Sequence, residues 1–517
     1  MKTLLFVVAG SVAWIAGSAW PSGQGASPFS NRVSSGPASC ERLLSLTPPN
    51  AMITLARVVE AGAFTPSAAG GADRPLSVAH AFCRVTATLK PSSDSDIAIE
   101  LWMPAANWNG KFQAVGNGAF NGSINYAALA AALDRGYAAA ATDTGHVGDG
   151  ARFALGHPEK VVDFGWRAVH EMTVTAKSLI DAYYDARPRQ SYWNGCSAGG
   201  RQGLKEAQRF PADFDGIIAG APGLDWTGRA AQAVLVAKAT ENPAARLSAP
   251  ERQLLHTAVV QACDALDGVK DGLIGDPTRC AFDPGVLQCR GAETSGCLTA
   301  AQVETARLIY TTQVNPRTRR EITGLQPGSE LGWTDNGWTA SARATGLDQF
   351  RFIVFRDPNW TVQRFNFATD IVRAEEADDS IINALDADLH AFIARGGKLI
   401  QYHGWSDPQI SPGNSTQYYA RVVDALGGAA AVDSGYRLFM APGMGHCRGG
   451  EGPSNFDMVG ALERWVERGQ APDQIIASHA TGGVVDRTRP LCPYPAVAAY
   501  RGTGSTDDAA SFVCRAP

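Results

Sequence analysis

From about Ile97 onward the chain alternates short apolar runs with longer amphipathic stretches, and that rhythm predicts its elements. IAIELWMP (97–104), KFQAVGNG (111–118) and YAAAATDTG (137–145) read as strands bounded by glycine, proline or polar residues. AVHEMTVTAKSLIDAYYD (168–185) has helical spacing, with Val169, Met172, Ala176, Leu179 and Ile180 on one face. SYWNG then runs as a strand into a CSAGG turn, and GLKEAQRF continues as a helix. DGIIAGAPG (215–223), GKLIQYHGWSDP (397–408) and YRLFMAPGMGH (436–446) are three further strands. DMVGALERWVERG (457–469) closes as a helix with a glycine stop. Strands alternating with helices predict an α/β fold with a doubly wound, mostly parallel sheet. Residues 224–388 break this rhythm, with four cysteines, acidic turns and many aromatics. Structureless loops of that length are rare, so the stretch is expected to be an inserted lid over the sheet's carboxyl edge.

Composition changes this picture little. The 517 residues suffice for a large core, and 45% hydrophobic with 18% charged residues is ordinary for a globular chain. A net charge of -5 offers no polycation, so neither nucleic acid nor an anionic membrane surface is an expected partner. The first residues, MKTLLFVVAGSVAWIAGSAW, matter more. Lys2 precedes an apolar run from Leu4 to Ala16, and Gly17 and Ala19 are small. The run is short for a membrane span, so residues 1–19 read as an export signal and the mature chain as secreted or periplasmic, without a membrane anchor. Ten cysteines in an exported chain suggest disulfides, with the pairing left open by the count.

The candidate chemistry begins at Gly195-Cys196-Ser197-Ala198-Gly199, a G-x-S-x-G pentapeptide between a predicted strand and a predicted helix. That context is the nucleophile elbow of α/β-hydrolases, whose triad follows in the order Ser, acid, His. Asp407 follows the strand KLIQYHGWS, and His446 follows RLFMAPGMG. Ser197 is therefore the expected nucleophile, His446 the general base and Asp407 its orienting acid. The oxyanion hole needs two backbone N–H groups. Ala198 is one, and Gly118 in GNGAFNG is the choice for the other, ahead of Asn117. Cys196 precedes the nucleophile and Cys447 follows the base, so a formed triad brings the two thiols together. A disulfide there would tie the elbow to the histidine loop.

GCSAGG, YHGWSDPQISPGN and APGMGHC together resemble the tannase and feruloyl esterase family of α/β-hydrolases, as do GNGAFNG and TDTGH. The resemblance covers nearly the whole mature chain. It implies a hydrolase domain in two parts, 20–223 and 389–517, with the lid at 224–388. It implies esterase activity on hydroxycinnamic or gallic acid esters, with one branch cleaving mono(2-hydroxyethyl) terephthalate. It also implies the triad Ser197, Asp407 and His446 and the clamp Cys196–Cys447. The other implied pairs are Cys40 with Cys83, Cys263 with Cys280, Cys289 with Cys297, and Cys492 with Cys514.

CDALDGVKDGLIG (263–275) crowds Asp264, Asp267 and Asp271 on a turn with Gly268 and Gly272. Such carboxylates repel unless a cation neutralises them, and oxygen ligation suits calcium. The resemblance implies a structural lid calcium here, with backbone oxygens of Val269 and Leu273. No histidine cluster suited to zinc stands out, GNGAFNG lacks the Lys-Ser/Thr of a phosphate loop, and no organic cofactor is expected. The lid aromatics, Trp333 and Trp338 among them, are candidates to stack on an aromatic acyl group. Ile410 stands where the terephthalate branch has a phenylalanine, which argues against that substrate. The expected partner is a small aromatic ester, free or attached to plant cell-wall polysaccharide. Hydroxycinnamoyl esters are favoured over galloyl and terephthalate esters. A non-catalytic carbohydrate- or wall-binding protein on the same fold is the competing class, and the intact Ser, Asp and His speak against it.

Overall fold

Nine strands form the main sheet of the computed structural model, which describes residues 38–66, 75–291 and 295–516. They are β1 (Ala51–Val59), β2 (Phe82–Leu89), β3 (Ile97–Pro104), β4 (Lys111–Val115), β5 (Ala138–Thr142), β6 (Gln190–Cys196), β7 (Gly216–Gly220), β8 (Lys398–Gly404) and β9 (Tyr436–Ala441). Their order is β1-β2-β3-β5-β4-β6-β7-β8-β9. From β5 to β9 every neighbouring pair is parallel, whereas β1, β2 and β3 pair antiparallel, as do β3 and β5. The pattern from Ile97 onward places β3 to β9 but misses β1 and β2. β2, FCRVTATL, is buried along almost its whole length and shows no two-fold alternation to reveal it. The expected export signal lies outside the described residues. Among the described residues no helix is long and apolar enough to cross a membrane.

Alternation within the parallel strands sends neighbours to opposite faces. Trp193, Ile217, Leu399 and Leu438 join one core with Met172, Leu179, Leu204 and Val422. Those last residues come from α2 (Ala168–Tyr184), α3 (Ala198–Arg209) and α9 (Pro412–Ala425). Tyr192, Ile218, Ile400 and Phe439 join the opposite core. There they meet Leu129 and Leu133 of α1 (Tyr126–Asp134), and Leu462 and Trp465 of α10 (Met458–Arg468). Burying each such side chain stabilises by about 1.5–3 kcal/mol, so both faces of the doubly wound sheet are committed. α2 begins where expected only in name. It continues a turn of wider winding, Asp163–Arg167, rather than starting from a cap.

Register decides where the chemistry emerges. Cys196 pairs with Gly220, Gly220 with Tyr402 and Tyr402 with Phe439. This row crosses four parallel strands, so the segments leaving β6, β7, β8 and β9 all emerge at one edge. Ser197, Asp407 and His446 lie in three of them.

Residues 224–388 add no strand to the main sheet. They form α4 (Trp226–Ala239), α5 (Ala249–Cys263), α6 (Ala300–Tyr310), α7 (Ala340–Asp348), α8 (Phe367–Asp378) and short turns. The segment packs in one unit with the other described residues.

Candidate active site

Ser197 stands between β6 and α3 at φ 65° and ψ −122°. A side chain in that region costs about 1–3 kcal/mol, which its surroundings must offset. The Ser197 N–H donates to Gly220 O at 2.9 Å, and its carbonyl accepts from Arg201 N at 3.1 Å and Gly223 N at 3.2 Å. The glycines explain themselves by contact. A Cβ on Gly195 would lie 2.5 Å from the Gly199 carbonyl, and one on Gly116 would lie 2.5 Å from Gly199 Cα. The elbow therefore packs backbone to backbone against the loop after β4, and Gly199 N donates to Asn117 O at 2.8 Å.

That loop carries the second oxyanion candidate. The Asn117 N–H is already given to Gln202 Oε1 at 3.1 Å, and the Asn117 amide donates to the carbonyls of Thr142 and Ser123. Ala198 N and Gly118 N have no acceptor among the described residues, so both N–H groups are free to meet an incoming oxygen. A Cβ on Gly118 would meet nothing within 4 Å, so an incoming group can approach that backbone freely.

Asp407 is wholly buried and accepts on both oxygens. Oδ2 takes His446 Nδ1 at 2.7 Å and His403 Nε2 at 3.0 Å, and Oδ1 takes the N–H groups of Gln409 at 2.7 Å and Ile410 at 3.1 Å. Burial alone would raise its pKa. The His446 charge and the hydrogen bonds from His403 and His446 outweigh burial and hold the carboxyl well below the usual range. His446 Nδ1 thus donates to the acid, which leaves Nε2 for the serine. Among the described residues Ser197 Oγ has no hydrogen-bond partner, so the serine–histidine bond is one for the substrate complex to close. Cys196 and Cys447 are bonded across 251 positions, and Cys447 also sits at φ 64°.

His403 escaped the sequence reading, although it stands four residues before Asp407 in the quoted motif. Both neighbours of its Nε2, Asp407 Oδ2 and Ile410 O, are acceptors, so Nε2 carries the proton. Nδ1 then accepts from Ser415 Oγ at 2.7 Å.

A cleft of about 970 Å³ opens over these groups, bordered by Gly118, Ser197, His446, Trp226, Arg229 and Ile410. Ile410 is in its wall as expected. Trp333 and Trp338 are not. They are 3% and 1% exposed in a separate core with Leu255, Val259 and Ile309. Phe350, Trp360 and Phe365 likewise pack on one another and on Ala230 and Val234. A segment that must build its own core spends its largest apolar side chains there, which is why aromatic content did not locate the pocket. The aromatic wall comes instead from Phe120, from Tyr402 and from Trp226, which begins α4 immediately after the turn from β7. Arg229, one helical turn on, is buried in the cleft wall and donates from Nε to Gln409 O at 3.1 Å, bracing the acid loop.

In the loop 263–275 the Asp264 carboxylate accepts from Asp271 N and Gly272 N, Asp267 from Val269 N, and Asp271 from Leu273 N. Arg489 pairs with the Asp271 carboxylate and Arg487 donates to the Asp271 carbonyl at 3.1 Å, and neither Asp264 nor Asp267 has an ion-pair partner among the described residues. That unpaired negative charge with oxygen donors fits a hard divalent cation. The three side chains do not bring an oxygen each within 4.8 Å of the others, so backbone oxygens would have to share in the ligation. Four further disulfides, Cys40–Cys83, Cys263–Cys280, Cys289–Cys297 and Cys492–Cys514, match the implied pairs.

Residues 83–515 match the family model described as tannase and feruloyl esterase. An uncharacterized esterase from Xanthomonas campestris pv. campestris is 41% identical over 538 residues, covering 93% of this chain and 92% of that one. A probable feruloyl esterase B-1 from Aspergillus oryzae is 34% identical, covering 92% of this chain and 93% of its own. The crystal structure of feruloyl esterase B from Aspergillus oryzae superposes with a TM-score of 0.87 at 32% identity, covering 92% of this chain and 99% of that chain.

Proposed function

Because the chain belongs to the tannase and feruloyl esterase family of carboxylic ester hydrolases, we propose that it is an exported serine esterase that cleaves aromatic acid esters, hydroxycinnamoyl esters first. One observation carries the mechanism. The strained Ser197 is tied through Cys196–Cys447 to His446, whose Nδ1 donates to the buried Asp407. Ser197 Oγ attacks the ester carbonyl while His446 Nε2 takes its proton. The negative oxygen of the tetrahedral intermediate accepts from Ala198 N and Gly118 N. When the C–O bond breaks, His446 returns the proton to the leaving alcohol and an acyl-serine remains. Water, deprotonated by His446, then releases the acid and restores Ser197. Asp407 stays ionised throughout and stabilises the imidazolium.

The substrate reading rests on relatives named feruloyl esterase B and on Trp226 and Ile410 beside the nucleophile. Export rests on the N-terminal segment and on five disulfides, which suit an oxidising compartment. Initial rates on methyl ferulate, methyl gallate, mono(2-hydroxyethyl) terephthalate and p-nitrophenyl acetate test it, with Ser197→Ala as control. Methyl ferulate should be preferred and the variant inactive. Turnover of p-nitrophenyl acetate alone would keep the triad and remove the aromatic-acid reading.

Calcium belongs to the same proposal. Asp264, Asp267 and Asp271 with the carbonyls of Val269 and Leu273 would hold it, and the ion would neutralise carboxylates that Arg489 only partly offsets. Chelation should lower Tm. An unchanged Tm after verified metal removal would reject the site.

A further inference from the structure

At the opposite edge of the sheet, where the parallel strands begin, a second polar cluster lies under the chain. His170 is in the first turn of α2, Glu206 is in the last turn of α3, and Asp213 is in the loop leading to β7. One ligand atom from each lies within 4.8 Å of the other two. His170 Nδ1 is 2.6 Å from Asp213 Oδ2, and the imidazole is stacked at 3.8 Å on Phe210, which fixes its plane. Glu206 is the anomaly. It is 1% exposed, and neither carboxylate oxygen has a hydrogen-bond partner among the described residues. Lys177, the nearby cation, donates its ammonium to the Asp213 carbonyl rather than to Glu206. Ionised, Glu206 would be a buried carboxylate facing a second carboxylate with no cation paired to it, an arrangement that calls for either a shared proton or a bound metal ion.

We propose that His170, Glu206 and Asp213 form a binding site for a divalent transition metal, with Zn²⁺ the best fit, that staples α2 to the end of α3 and the loop before β7. An imidazole nitrogen and carboxylate oxygens are both donor types that Zn²⁺ accepts, with bonds of about 2.0–2.2 Å, and three protein ligands leave a position for water. Ligand atoms around such an ion stand roughly 3.4 Å apart, so His170 and Asp213 would part by about an ångström to admit it while Glu206 closes by about as much. The ion would supply the positive charge that Glu206 lacks, and His170 and Asp213 are open enough to admit a water as the fourth ligand. The positions, 36 and 7 residues apart in sequence, belong to different elements, which hides the site from any spacing motif. The site is remote from the catalytic edge and independent of the esterase reading.

The test uses the full mature, oxidised protein, stripped with chelator and held in saturating Ca²⁺ so that the lid loop cannot compete. Calorimetric titration with Zn²⁺ should give one site per chain. Zn²⁺ at a hundredfold excess over Kd should raise Tm by about 2–6 °C. His170→Gln and Glu206→Gln should each lose that site while turnover of p-nitrophenyl acetate changes less than twofold. Co²⁺ in the unmutated protein should give the visible absorption of a low-coordinate site, a readout that needs no variant to fold. No Zn²⁺ binding and no Tm shift in the unmutated protein would overturn the proposal and leave Glu206 as a protonated acid bonded to Asp213. Zn²⁺ binding that persists in both variants would overturn it as well.

Discussion

Asp407 meets two imidazoles, and they do different work. His446 is 13% exposed and borders the cleft, in reach of a substrate, whereas His403 is fully buried away from it. With Nε2–H on Asp407 and Ile410 O, and Nδ1 on Ser415 Oγ, His403 holds the acid against the loop that carries it. A hydrogen bond to a buried charge is worth about 1.5–3 kcal/mol, so His403→Leu should lower kcat roughly 10–100-fold with KM changed far less. His403→Gln, which can still donate to Asp407, should recover part of the loss. An unaltered kcat in His403→Leu would mean that the N–H groups of Gln409 and Ile410 orient the acid unaided. That Ser197, Asp407 and His446 would gather at one edge was legible in the sequence because an elbow and two strand ends appear in a fixed order. His403 was not, because a histidine inside a strand pattern is marked only by what it touches.

Two strained turns, one after β6 and one after β9, are joined by a single covalent bond. Ser197 at φ 65° adjoins Cys196, and Cys447 at φ 64° adjoins His446. The disulfide links the two turns directly, so each helps to hold the other in its costly conformation. Replacing Cys196 and Cys447 together with serine should lower kcat more than tenfold in protein that is still fully folded by circular dichroism, because four local disulfides and both cores remain. Tm should also fall, since closing so long a loop contributes about 5 kcal/mol in the chain-entropy view. Full kcat in the double variant would dismiss the clamp. Strands β3 to β9 and the helices α2, α3 and α10 were legible because their apolar runs are bounded by glycine and polar turns, whereas α1 and α9 went unread. β2 lacks alternation, and β1 is an edge strand with mixed exposure, so neither announced itself. The lid aromatics misled for the converse reason: size and apolarity predict burial, and burial in the segment's own core exhausts them before the cleft is reached.

Across the whole molecule, the segment 224–388 and the catalytic loop after β9 are joined by one histidine. His256 of α5 bonds Glu330 from Nδ1 at 2.8 Å and Glu451 from Nε2 at 2.9 Å, and Glu451 lies four residues beyond Cys447. Burial alone would lower the pKa of His256. The hydrogen bonds and charges of Glu330 and Glu451 outweigh it, and the pKa rises from 6.5 to about 9. A raised folded-state pKa contributes stability that is fully present below about 6.5 and is lost as pH climbs through about 9. The contribution is at most about 3 kcal/mol, and less once the exposure of Glu451 is allowed for. His256→Gln should therefore be less stable than the unmutated protein at pH 6, with the gap narrowing as pH rises towards 10. Urea unfolding at both pH values, taken as the difference between the two proteins, isolates this group from the other titrating residues. A gap that stays constant with pH would show that His256 is held neutral and that the two carboxylates do not charge it. A narrowing gap accompanied by a fall in kcat above pH 9 would place the link in the path that keeps the loop after His446 in position.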